Sequence, residues 1–89
     1  MINISFSSSF KRAFKRKIKG NIEREKRFWQ KLEIFQKTPF DPSLRTHKLS
    51  GKLKDLWSFT VEYDLRIIFY YADEDKAVLI DIGTHDEVY

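Results

Sequence analysis

His47 and His85 are the only histidines among the 89 residues, and the chain has no cysteine. Histidine titrates near neutrality, so either ring can take or give a proton. Without cysteine, a thiolate nucleophile and a disulfide framework are both excluded. Arg66 carries a planar fork of donors that suits a phosphate, with Asp64 two residues before it. Tyr89, the final residue given, offers a ring on which a nucleic-acid base can stack. A proton acceptor, a proton donor and cationic groups for anionic oxygens are what in-line attack on a phosphate requires. Each residue also has a plainer reading. The histidines could simply lie at the surface, Asp64 could shape a turn, Arg66 could pair with Glu62 or Asp64, and Tyr89 could end a strand. His47, His85, Asp64, Asp81 and Asp86 show no recurrent ligand spacing such as H-E-x-x-H, so no metal or other cofactor is expected. The sequence has no Gly-rich phosphate loop and no Ser-His-Asp ordering.

The elements that must position these groups follow from periodicity. Ile2, Ile4 and Phe6 alternate with polar residues, which predicts a short half-buried strand. Ser7-Ser8-Ser9 offers a helix cap. Phe10, Phe14 and Ile18 then recur at spacing four opposite a Lys/Arg face. Gly20-Asn21 stops this helix, and a second is expected from about Ile22 to Lys37, with Ile22, Phe28, Trp29, Leu32 and Phe35 on one side and Ile34 off the stripe. Phe10, Phe14, Trp29 and Phe35 are expected in the core. Thr38-Pro39-Phe40-Asp41-Pro42 ends the second helix.

From Leu44 onward the period becomes two. Trp57, Phe59 and Val61 alternate with Ser58, Thr60 and Glu62, while 65–71 and 77–82 are nearly continuous apolar runs that read as central strands. If Trp57, Phe59 and Val61 face the helices, so do Leu65, Ile67, Phe69 and Tyr71. Arg66 and Thr60 then share the opposite, open sheet face, with Asp64 on the turn between their strands. Helices followed by strands argue an α+β fold: an N-terminal strand and a two-helix hairpin packed on one face of a small antiparallel sheet, residues 1–89 forming one domain.

Large side chains, including 8 Phe, 4 Tyr and 2 Trp, provide the dense packing that a chain of this length depends on. No apolar run approaches the roughly 20 residues needed to span a bilayer, and the start Met1-Ile2-Asn3-Ile4 lacks the pattern of a signal peptide. A cytoplasmic location is therefore expected. Residues 1–37 hold eleven Lys/Arg against three Glu, a balance of +8, whereas the remainder holds six against ten acidic residues, a balance of −4. This asymmetry points to a polyanionic partner on one side of the molecule, with a merely solvated lysine-rich helix face as the plainer alternative.

The segments His47-Lys48-Leu49-Ser50-Gly51, Asp64-Leu65-Arg66 and Gly83-Thr84-His85, with the terminal aromatic Tyr89, together resemble the RelE/ParE superfamily of type II toxins. The closest likeness is to its YafQ-like mRNA interferases, and it covers the whole chain. The resemblance implies a ribosome-dependent, metal-independent endoribonuclease in which the RNA's own 2′-hydroxyl attacks the adjacent phosphate. It implies catalytic roles for His47, Asp64 and His85, and substrate contacts from Arg66, Tyr89 and Lys54. Thr60 stands where the family's second histidine would be. Lys11, Arg12, Lys15, Arg16 and Lys19 are expected to meet ribosomal RNA. The implied partners are a cognate antitoxin protein, in a possible hetero-oligomer, together with the ribosome and mRNA. Two other functions share this fold: a ParE-like toxin that binds gyrase and cuts nothing, and a degenerate module that only binds RNA or antitoxin. The two histidines and terminal aromatic favour the nuclease, and Thr60 favours the degenerate module.

Overall fold

The computed structural model describes residues 1–51 and 55–84. Strand β1 (Asn3–Phe6) is followed by helices α1 (Ser8–Lys17) and α2 (Ile22–Lys37). A short 3-10 helix, Pro42–Leu44, then leads to β2 (His47–Lys48), β3 (Trp57–Glu62), β4 (Leu65–Asp73) and β5 (Lys76–Gly83). These strands form one sheet in the order β1-β5-β4-β3-β2. β2 to β5 pair antiparallel, whereas β1 runs parallel to β5. The expected α+β architecture is present, with one refinement: the first strand joins the sheet and makes it mixed. Parallel neighbours need a long crossover, and the whole chain between β1 and β5 supplies it.

Local chemistry places the helix ends. The Ser7 hydroxyl accepts the Phe10 N–H at 3.1 Å, capping α1. Gly20, at φ +93°, turns the chain out of that helix through a conformation that L side chains rarely adopt. Asn21 Oδ1 then accepts the Arg24 N–H at 3.1 Å to begin α2, whose first turn holds Glu23 and Glu25. Lys15, Arg16 and Lys17 occupy the last turn of α1, where cations complement the exposed carbonyls. Two long-range bonds fasten α1 to β5: Ser9 Oγ donates to the Ile80 carbonyl at 2.6 Å, and Lys17 Nζ to the Ile82 carbonyl at 2.7 Å.

Between helices and sheet lies the core. Phe35 of α2 stacks on Phe59 at 4.8 Å and meets Phe69 edge-on at 4.9 Å. All three rings are fully buried, each worth roughly 1.5–3 kcal/mol by apolar transfer. Leu65, Ile67 and Phe69 face this core, with Tyr71 packed at its margin, as the alternation requires. Phe10 is buried and Phe14 half-buried. Trp29 departs from expectation: it is 51% exposed. Adjacent helical residues point about 100° apart, so Phe28 takes the core and Trp29 lies at the rim, edge-on to Phe28 at 4.8 Å. Ile22, at the first position of α2, is also exposed rather than on the apolar stripe, while Ile34 packs against the core's edge.

A bulge decides the far end of β5. Phe69 lies opposite Leu79 and Ile68 opposite Asp81, so Ile80 is the extra residue. Unbroken alternation from Ala77 and Leu79 would drive Asp81 into the core. The bulge delivers Ile82 there instead and leaves Asp81 exposed.

Candidate active site

The sheet face turned away from the helices carries His47 and Arg66, together with Ser58 and Thr60. His47 lies opposite Ser58, Thr60 opposite Arg66, and Arg66 opposite Gly83. Directly paired residues point to the same face, and so do alternate residues along one strand. His47, Ser58, Thr60 and Arg66 therefore share a surface made by four neighbouring strands. Gly83 contributes no side chain beside Arg66.

Arg66 is only 9% exposed, and its Nη1 donates to Thr60 Oγ1 at 3.3 Å. Glu62, one of the two carboxylates considered as its partner, is held instead by α2, through Arg24 Nε at 2.9 Å and Arg27 Nη1 at 3.2 Å. Asp64 stands exposed in the turn joining β3 and β4.

His47 is half-buried, and its Nδ1 lies 2.8 Å from the Arg45 carbonyl oxygen. A carbonyl can only accept, so the ring proton sits on Nδ1. In the neutral ring the lone pair is then on Nε2, the atom able to accept a proton. The contact thus orients the ring on the same face as a largely buried guanidinium.

This face is not open along its whole length. Ser58 is fully buried, and Leu49 and Ile68 are buried outside the core that joins sheet and helices. Alternation assigns a residue to a face but cannot say what packs over it. The Ser58 hydroxyl finds no hydrogen-bond partner among the described residues.

Beside the outer end of β3, where β2 no longer pairs with it, lies a cleft of about 300 Å³ lined by Lys31, Ser43, Arg45, Thr60, Glu62 and Arg66, among others. Lys31 and Arg45 were missed by sequence reasoning. Arg45 could have been noticed two residues before His47, whereas Lys31 arrives from α2 only through the tertiary fold. Asp41 caps the 3-10 helix by accepting the Ser43 N–H at 2.9 Å and the Ser43 hydroxyl at 2.7 Å. The hydroxyl bond first, and then the amide, hold its carboxyl below its ordinary 3.8, with Lys31 adding a smaller push in the same direction.

Other expected site residues are placed differently. Lys11, Arg12, Lys15, Arg16 and Lys19 are all exposed. The first four lie on α1 and the fifth just beyond its end, in the helical layer and so on the opposite side of the sheet from His47 and Arg66. Lys54, His85 and Tyr89 lie outside the described residues. Among the described residues no group of three or more His, Cys, Asp or Glu could hold a metal ion, and no helix is long and apolar enough to cross a membrane.

Comparisons with known proteins add the following. A family model described as "Bacterial toxin of type II toxin-antitoxin system, YafQ" matches residues 2–89. A metal-bound toxin from Helicobacter pylori is similar in fold, with TM-score 0.77, 23% identity and full coverage of both chains. YafQ from E. coli superposes with TM-score 0.70 and 20% identity over 100% of this chain and 99% of that one. A chain of the YoeB-YefM complex from Staphylococcus aureus matches with TM-score 0.74 and 17% identity, over 96% of this chain and 98% of that one. No curated protein matches.

Proposed function

Because the chain belongs to the YafQ family of bacterial toxins from type II toxin–antitoxin systems, we propose that it is an endoribonuclease that cuts mRNA on the ribosome without a metal. The observation that carries this reading is the 2.8 Å contact between His47 Nδ1 and the Arg45 carbonyl, which leaves Nε2 as the base on the face shared with Arg66. In the proposed reaction His47 Nε2 removes the proton from a 2′-hydroxyl. The 2′-oxygen attacks the adjacent phosphorus, and the bond from phosphorus to the 5′-oxygen breaks. His85, two residues after Gly83 in sequence, returns a proton to the leaving 5′-oxygen. The products are a 2′,3′-cyclic phosphate and a 5′-hydroxyl end. Arg66 neutralises the phosphate oxygens as charge builds on them, and Thr60, at the place of the family's second histidine, accepts from Arg66 and so helps to aim it. Asp64 orients the proton-transfer groups, Lys54 adds a substrate cation, and Tyr89 stacks on a base.

The proposed setting is the cytoplasm. The partners are the ribosome, mRNA and an antitoxin protein in a toxin–antitoxin hetero-oligomer, as YoeB has YefM in the S. aureus complex. One observation favours a second reading: with Thr60 in place of a histidine, the protein would bind RNA without cutting it. Incubating purified protein with translating ribosomes separates the two. The nuclease reading expects mRNA fragments ending in cyclic phosphate, undiminished by a chelator, and a loss of roughly 10²–10⁴-fold in His47→Ala, the usual worth of general acid–base catalysis. Intact mRNA with wild-type protein, or full activity in both His47→Ala and His85→Ala, would overturn it.

A further inference from the structure

Arg45 is the only non-glycine residue with positive φ among the described residues, at φ 51° and ψ 41°. An L side chain enters this left-handed region at a cost, so something must hold it there. Leu44, immediately before it, is fully buried. Asp41 caps the turn, the Arg45 N–H donates to the Pro42 carbonyl at 3.3 Å, and the Thr46 hydroxyl donates back to the Pro39 carbonyl. The reversal has two results. The Arg45 carbonyl receives His47 Nδ1, and the Arg45 side chain lines the cleft that Lys31 and Arg66 also line.

The charge of that cleft is one-sided. Its cations come from α2, from the end of the 3-10 helix and from β4. Its carboxylate, Glu62, is matched by two arginines of α2, and Asp41, which accepts from Ser43, keeps a negative charge that Lys31 faces, so the excess in the cleft is cationic. Three cations around about 300 Å³ make a site for a compact anion. Since Arg66 borders both this cleft and the face carrying His47, the anion would sit one step from the reacting phosphate.

We propose that the cleft of Lys31, Arg45 and Arg66 is a second phosphate subsite, which grips the RNA backbone phosphate adjoining the scissile one. Arg45 serves it twice: its side chain binds the second phosphate, and its main chain fixes the His47 tautomer. The subsite rests on the nuclease reading but has its own test. Two probes carry a 2′-deoxy group at the cleavage position, so neither can be cut: a dinucleoside monophosphate with one phosphate and a trinucleoside diphosphate with two. Binding is measured for the wild type, Lys31→Gln and Arg45→Gly, with glycine chosen because it keeps the left-handed backbone.

Each variant is expected to weaken the two-phosphate probe about tenfold, as for one charge-assisted hydrogen bond. The loss of affinity with added salt should be less steep than in the wild type, and affinity for the one-phosphate probe should hold. The nitrogen shifts of His47 should still report a proton on Nδ1 in Arg45→Gly. Unchanged affinity and slope for the two-phosphate probe in both variants overturns the subsite, as does failure of the wild type to bind that probe, or an equal loss on both probes. So does a cleft whose variants weaken only the hold on an antitoxin's acidic segment. Should Arg45→Gly fail to fold, Lys31→Gln decides alone. Two-phosphate binding in the cleft with no cleavage on ribosomes would instead sink the nuclease reading and leave the subsite standing.

Discussion

At Tyr89 the ring and the hydroxyl make separable contributions. If the ring stacks on an mRNA base, the interaction is worth roughly 1–3 kcal/mol, or about 5–150-fold in binding. Tyr89→Phe should then be nearly silent in a cleavage assay, and Tyr89→Ala should lose about that factor while its melting temperature barely moves. Phe as damaging as Ala would assign the work to the hydroxyl, and a large loss of melting temperature in Ala would make Tyr89 a core residue. Strand alternation made it legible that Arg66 and Thr60 share a face, and the register does pair them, whereas His47 was legible by its residue type and only the register of β2 sets it on that face. The place of Lys31 was not legible, since nothing in a helix's own period says which cleft a half-exposed lysine will border.

The element that most affects the site is the 3-10 turn, because it carries Arg45 and so the hydrogen bond to His47. Its cap is ionisable. Bonds from Ser43 hold the Asp41 carboxyl below 3.8 in the folded chain, so the folded state binds its proton less readily than the unfolded one. That contribution to stability is complete above the ordinary value of 3.8 and is lost as pH falls through the lower folded value. Between neutrality and mild acid the cap should therefore be unaffected. Asp41→Asn, which can still accept from Ser43, should be less sensitive to acid than the wild type below pH 3.8, as read by melting temperature. Identical acid sensitivity in the two proteins would show that the cap does not contribute. The helices begin at the expected caps, Ser7 and Asn21, and α2 ends at Thr38, whereas α1 ends at Lys17, a little before Gly20. The bulge at Ile80 was hidden, because 77–82 is so nearly apolar that no alternation marks the slip.

On the scale of the whole molecule, the sheet separates two cationic regions. Lys11, Arg12, Lys15 and Arg16 of α1, with Lys19 beyond it, face solvent from the helical layer, while Arg66 and His47 occupy the opposite face. If the proposed function holds, the α1 cations are expected to meet a separate, larger polyanion. Charge reversal at Lys15, Arg16 and Lys19 should weaken ribosome association, and wild-type association should fall steeply with salt through counterion release. Melting temperature should change little, because all three side chains are exposed. Sedimentation with ribosomes across a salt series checks this, and association indifferent to both salt and charge reversal would count against it.

The amino-acid sequence by itself determined the element order, where the helices begin and, away from the bulges, the face that a strand residue takes. Caps, glycine turns and apolar periods of 3.6 and two act over a few residues and carry their own instructions. Tertiary structure alone decided which rings are buried, since Phe28 and Trp29 compete for one core direction. It also decided that β1 runs parallel to β5, that a bulge turns Asp81 outward, and that Lys31 meets Arg45 and Arg66 at one cleft. Those outcomes depend on what packs against an element from a distance along the chain, and no local pattern records that.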